Sequence, residues 1–135
     1  MRKKQTQKQI VGGLGEEIAS KFLSNKGFTI VTRNYRKKFG EIDIIAKKAG
    51  KIYFVEVKTV SREDLEELDV EMKDTFRPED NVHLWKLKRL SRAIQVYLSE
   101  NKLGDETDWQ FDVATVFLDM KSKKARVKVL EDVIL

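Results

Sequence analysis

The sequence predicts an α/β domain, a mixed β-sheet flanked by α-helices, and three observations carry that prediction. Two long stretches and one shorter acidic one repeat apolar residues at helical spacing, and five short stretches are rich in β-branched and aromatic residues. The two kinds follow one another as helix, three strands, helix, two strands, an order that buries its apolar faces best with helices laid on a sheet. The 135 residues fit one domain, spanning 1–135, around one core.

The elements follow in chain order. Ile10, Val11, Leu14, Ile18, Ala19, Phe22 and Leu23 recur at intervals of three and four, the stripe of an amphipathic helix that Gly27 ends. Residues 28–35 (FTIVTRNY) read as a strand, followed by a basic turn at Arg36, Lys37 and Lys38. Residues 41–47 and 51–60 are the next two strands, joined around Ala49 and Gly50 as a hairpin. Between 61 and 80, Leu65, Leu68, Met72 and Phe76 share one side of a helical wheel, so a short acidic helix is expected there, ended at Pro78. Asp80 or Asn81 caps a further helix with the stripe Leu84, Leu87, Leu90, Ile94, Tyr97 and Leu98. Residues 109–118 and 125–129 are the last two strands.

Composition narrows the function classes. Apolar residues make up 41% of the chain and charged residues 36%, which describes a highly charged surface around a core of ordinary content. No apolar run is long enough to span a bilayer, and the basic N-terminus is not followed by the apolar stretch of a signal peptide. There are no cysteines, which removes disulfides, thiolate zinc sites and cysteine nucleophiles, and a cytoplasmic location is expected. The net charge of +5 is unevenly spread. Residues 1–50 carry twelve bases against four acids, residues 61–80 carry three against nine, and Lys86, Lys88, Arg89 and Arg92 make the next helix basic. Two basic regions suit a polyanion, so nucleic acid is the expected partner. The acidic segment reads as a lid or insertion, a contact in a homodimer, or a packed edge helix, and the sequence leaves these open.

The chemistry concentrates on the hairpin. Glu56 and Lys58 point to the same side of their strand, with Cα atoms ~6.6 Å apart at about 3.3 Å per residue. The neighbouring strand offers Glu41 and Asp43 on one face and Ile42 and Ile44 on the other. With a two-residue turn at Ala49 and Gly50, Asp43 stands opposite Glu56. Two carboxylates and an ammonium then converge. A hard divalent cation, Mg²⁺ or Mn²⁺, takes such oxygen ligands together with water and substrate phosphate. Bound there, it would activate a water and offset charge growing on a phosphodiester, while Lys58 would orient the water or stabilise the oxyanion. An ion pair on a half-exposed strand would give the same residues, although the apolar flanks of Glu56 (YFVEV) demand a partner for a buried carboxylate.

The segments GEIDIIA (Gly40 to Ala46) and FVEVKT (Phe54 to Thr59) resemble the YraN-like family, within the restriction-endonuclease-like (PD-(D/E)XK nuclease) superfamily with its D…(E/D)-x-K core. GLGEEIA (Gly13 to Ala19), Arg33 with Asn34, KLKRL (Lys86 to Leu90) and FDV (Phe111 to Val113) match further family stretches in order, so the likeness covers most of the chain. The resemblance implies a restriction-endonuclease-like fold, with Asp43 and Glu56 as metal ligands, the Val57 carbonyl as a further ligand and Lys58 as the catalytic lysine. It also implies Glu16 as a helix-borne acid, where the helical wheel does not choose between Glu16 and Glu17. Two departures stand out: the region between Lys58 and Lys86 is long and acidic, and Gln110 stands where a base is expected.

The expected activity is therefore metal-dependent endonucleolytic hydrolysis of DNA, branched or repair intermediates included. The alternative is a nucleic-acid-binding module with the same fold and little turnover. Arg36, Lys37, Lys38, Lys86, Lys88 and Arg89 are the candidate phosphate contacts. Trp85, beside these bases, is a candidate to stack on a base or simply to pack. His83, the only histidine, lacks the companions of a histidine-metal motif.

Overall fold

The computed structural model describes residues 4–62 and 84–135. The expected acidic helix, its lid reading, His83 and the side chains of Leu84 and Trp85 lie outside the described residues. Helix α1 spans Gln7–Asn25, strands β1, β2 and β3 span Thr29–Lys37, Gly40–Lys48 and Lys51–Arg62, helix α2 spans Leu84–Glu100, and β4 and β5 span Trp109–Asp119 and Lys124–Leu130. The five strands form one sheet in the order β1-β2-β3-β4-β5. β3 and β4 run parallel, with α2 in the connection between them, and the other pairs are antiparallel. This is the α/β architecture of a restriction-endonuclease-like domain, a mixed sheet flanked by helices. No helix among the described residues is long and apolar enough to cross a membrane.

α1 begins on a capping box. The Thr6 hydroxyl accepts from the Gln9 N–H at 3.1 Å, and the Gln9 side chain accepts from the Thr6 N–H at 2.9 Å, which satisfies two backbone donors at the helix start. Its buried face keeps most of the expected stripe, with Val11, Ile18 and Phe22 partly buried against the same layer as Ala19 and Leu23. Gly15, Ala19, Ser20 and Leu23 are buried, while Ile10 and Leu14 stay exposed. A Cβ at Gly15 would overlap the Thr59 hydroxyl on β3, so at this level the helix meets the sheet through small residues. α2 conforms to its stripe, with Leu90, Ile94, Tyr97 and Leu98 buried along with Ala93.

Two apolar layers result. One joins α2 to Ile42, Ile45, Ile52, Phe54, Phe111 and Val113, and the other joins α1 to Ile44, Ala46, Val55, Ala114, Val116 and Leu118. The β2-β3 hairpin has the expected register. Lys48 pairs with Lys51 and the ladder runs to Ile44 opposite Val55. Ala49 and Gly50 hold left-handed φ values of 50° and 78°, as a two-residue turn matching the twist of its strands requires.

One expectation about faces is corrected. Ile42 and Ile44 do not share a face: Ile42 belongs to the α2 layer and Ile44 to the α1 layer. Alternation breaks at the same level on the neighbouring strand. Arg33 pairs with Ile44 and Tyr35 with Ile42, and Asn34 between them has φ 54°. A left-handed residue turns an extended chain over, so the residues on either side of it reach opposite faces. Asp43 sits level with that break.

Candidate active site

Asp43 occupies the point where β2 and β3 part. Beyond the Ile44–Val55 pair, its carboxylate accepts the Val57 N–H at 2.7 Å. A side chain thus satisfies a donor that a continuing sheet would give to a carbonyl. Glu56 lies in the α2 layer side of β3, with its side chain 17% exposed, and Lys86 of α2 reaches its Oε1 at 2.8 Å. Lys58 is half-buried and lines the same cavity as Glu56 and Lys86. The hairpin therefore brings Asp43, Glu56 and Val57 together, and α2 adds Lys86.

The electrostatics of this group are unbalanced. Burial first, and then the charge of Glu56, push the Asp43 carboxyl up to about 7, against the lowering effect of the Val57 N–H and with Glu16 and Glu41 adding to the rise. Burial works to depress the Lys86 ammonium, but its hydrogen bond and charge contact with Glu56, reinforced by Asp43 and Glu41, hold it above the ordinary lysine value. Lys86 thus faces several carboxylates and forms an ion pair with Glu56.

The structure distinguishes Glu16 from Glu17, between which the helical wheel does not choose. Glu16 is the more buried, with its side chain 21% exposed, and its charge acts on Asp43. Glu17 is turned outward and holds Arg33 at 2.9 Å, while the other guanidinium nitrogen lies 4.0 Å from Glu16. Arg33 therefore ties β1 to the acidic turn of α1, and Asn34 makes the left-handed step beside it.

The donor set can be tested against a metal ion. Asp43, Glu56 and the Val57 peptide offer oxygen ligands alone, the set a hard divalent cation prefers. Among the described residues no three acidic or histidine side chains gather around one point. An ion there would rest on two carboxylates with main-chain, solvent and substrate oxygens, as Mg²⁺ commonly does. The repulsion between Asp43 and Glu56 is the charge pattern such an ion relieves, so the residues fit the group. Beside them opens a cavity of about 660 Å³, walled by Leu87, Leu90, Phe111 and Val113 and by residues 131–134.

The sequence model of a family described as "Uncharacterised protein family UPF0102" matches residues 15–116, from the buried turn of α1 to the middle of β4. The chain belongs to the UPF0102 family. Among its curated relatives, UPF0102 proteins of Dictyoglomus turgidum and Chloroherpeton thalassium are 35% and 37% identical over 84% and 90% of this chain, covering 86% of each. A UPF0102 protein of Alkaliphilus oremlandii is 34% identical over 90% of the chain and 95% of its own length. The region matched in the UPF0102 chain contains every residue of the hairpin site together with Glu16 and Lys86.

The remaining candidates are spread more widely. Of the basic turn, Arg36 pairs with Glu41 at 3.2 Å, Lys37 pairs with Glu100 at 3.2 Å, and Lys38 lies over the Phe39 ring. Lys88 and Arg89 are exposed on α2. Gln110, where a base was expected, donates to the buried Asp112 at 2.7 Å, and the Asp132 N–H donates to the same oxygen at 2.9 Å. Burial raises the Asp112 carboxyl, and these two donors partly offset the rise. This contact lays the segment after β5 along β4, where the Val133 N–H reaches the Phe111 carbonyl at 2.7 Å and the chain walls the cavity. Nothing in the local pattern of the UPF0102 sequence announces that wall, because it depends on long-range hydrogen bonds.

Proposed function

We propose that this chain is a divalent-metal-dependent nuclease that hydrolyses phosphodiester bonds in DNA, branched or repair intermediates among them. The observation that carries the reading is the approach of Asp43 to Glu56 at the parting of β2 and β3, where burial and the Glu56 charge raise the Asp43 carboxyl to about 7. Asp43 and Glu56 would hold Mg²⁺ or Mn²⁺, with the Val57 carbonyl as a further ligand. When bound, the ion supplies water activation and neutralises charge growing on phosphorus. Lys58, on the same strand face as Glu56, orients the attacking water or donates to the phosphoryl oxygens. Glu16 adds negative charge beside Asp43 and raises the site's attraction for a cation.

Cleavage of plasmid, linear and branched DNA in Mg²⁺ or Mn²⁺, run beside Lys58→Ala, tests this. Loss on the order of 10²-fold or more in the variant is expected, the range typical of a general acid-base or oxyanion group. Turnover undiminished in Lys58→Ala contradicts the role given to Lys58.

A second reading, a metal-free structural ion pair, is favoured by the Lys86–Glu56 contact at 2.8 Å. Lys86→Met separates the two. If Glu56 is a metal ligand, the substitution removes a competing cation, and Mg²⁺ raises the melting temperature of the variant more than that of the wild type. If the pair is structural, the orphaned carboxylate destabilises the protein and Mg²⁺ does not restore it.

A further inference from the structure

β5 carries Lys124, Arg126 and Lys128 at alternate positions, so the three share one face of the strand. Val127 and Val129, between and beyond them, pack into the α1 layer, which places the three bases on the opposite face of the sheet, the face of Glu56 and Phe54. Strand register then links them to the proposed site. Lys58 pairs with Thr115 on β4, and Thr115 pairs with Lys128 on β5. Lys58 and Lys128 thus stand in one row across the sheet, with Cα atoms roughly 9.6 Å apart at about 4.8 Å per strand. Arg126 and Lys124 extend from Lys128 along β5 in steps of ~6.8 Å.

We propose that Lys124, Arg126 and Lys128 form a track for the phosphate backbone of the nucleic acid, leading to Lys58 and the Asp43–Glu56 pair. The inference rests on the nuclease reading for the place where the track leads, but the binding it describes does not depend on turnover. Charge complementarity identifies the occupant: three cations at regular spacing match a polyanion, and the one acid that the ladder sets opposite them, Asp119 across from Lys124, is buried and accepts the Lys121 and Ser122 N–H groups. Charged residues on an edge strand also discourage sheet-to-sheet association. That purpose does not call for a row continuous with Lys58, whereas a substrate track does.

The test uses the full chain in chelator, so that binding is read without cleavage, and a fluorescent DNA duplex with single-stranded arms as probe. A triple variant, Lys124→Gln with Arg126→Gln and Lys128→Gln, is compared with a control of equal charge loss, Lys21→Gln with Lys47→Gln and Lys102→Gln, at exposed positions elsewhere. The β5 variant is expected to bind on the order of 10-fold or more weakly, and its plot of log affinity against log salt to flatten by up to roughly 2.7, about 0.9 for each phosphate contact removed. The control is expected to stay close to wild type. Equal losses in the two variants, or wild-type affinity and slope in the β5 variant, overturn the track. So does a β5 variant that self-associates on gel filtration yet binds DNA normally, since that is the behaviour of edge protection alone. Circular dichroism of both variants keeps a folding defect from imitating the effect. A wild type that binds DNA through this row but never cleaves it would refute the nuclease reading and leave the track standing.

Discussion

Replacing Asp43 by Asn is expected to stabilise the metal-free protein above neutral pH and, on the nuclease reading proposed above, to abolish cleavage. The two effects have one origin. The Asp43 carboxyl is raised from 3.8 to about 7 by burial and by Glu56, so the folded chain holds this proton more tightly than the unfolded chain does. Stability linked to the group is therefore fully present below the unfolded value and is lost as pH rises through about 7. An amide carries no charge to desolvate, and its oxygen still accepts the Val57 N–H. Solvent reaching the pair shrinks the full electrostatic penalty, and a gain on the order of 1–2 kcal/mol is expected at pH 8. Urea denaturation in chelator at pH 5 and pH 8 measures it: the wild type loses stability between the two, and Asp43→Asn loses less. If Asp43 holds the proposed Mg²⁺, the same change is expected to lower the cleavage rate on the order of 10³-fold, several kcal/mol of transition-state stabilisation. A variant less stable than the wild type at pH 8 would show that the carboxylate is satisfied without an ion.

Gly40→Ala is expected to destabilise the fold by about 2–3 kcal/mol, the upper part of the usual range for overpacking. Gly40 opens β2 and is buried under α2. A Cβ there would collide with the Arg89 carbonyl oxygen, with the Arg89 carbonyl carbon at 2.9 Å and the Ala93 methyl at 3.4 Å. The first two are helix backbone, and no rotamer moves them away. Relief requires lifting α2 from the sheet, and Lys86 lies one turn earlier on that helix. The substitution therefore also weakens the Lys86–Glu56 contact. Chemical denaturation gives the stability change, and a difference below about 0.5 kcal/mol would contradict the close packing described here.

Much of this site is legible in the sequence because it rests on local rules. The two-residue turn at Ala49 and Gly50 dictates which residues face each other across β2 and β3, and the spacing of two places Glu56 with Lys58. The face of Asp43 is harder to read, because alternation breaks between Ile42 and Ile44, level with the left-handed Asn34 on β1, and nothing in EIDII marks the break. Gly40 and Gly15 stand in recognisable motifs, yet only the packed structure shows that each admits a helix within reach of a backbone carbonyl or a threonine hydroxyl. Glu16 and Glu17 differ by one position on a helix, and Arg33 on β1 is what separates them. The β5 alternation is visible as spacing, but its alignment with Lys58 passes through two strand registers that no local pattern specifies.

Calorimetric titration of the wild type and of Glu56→Gln with Mg²⁺ and Mn²⁺, without nucleic acid, tests the site most directly. Saturable binding by the wild type, weakened on the order of 10-fold or more in the variant, is the expected result. Equal affinity in both proteins, or no binding by either, would contradict a metal centre built on Asp43 and Glu56.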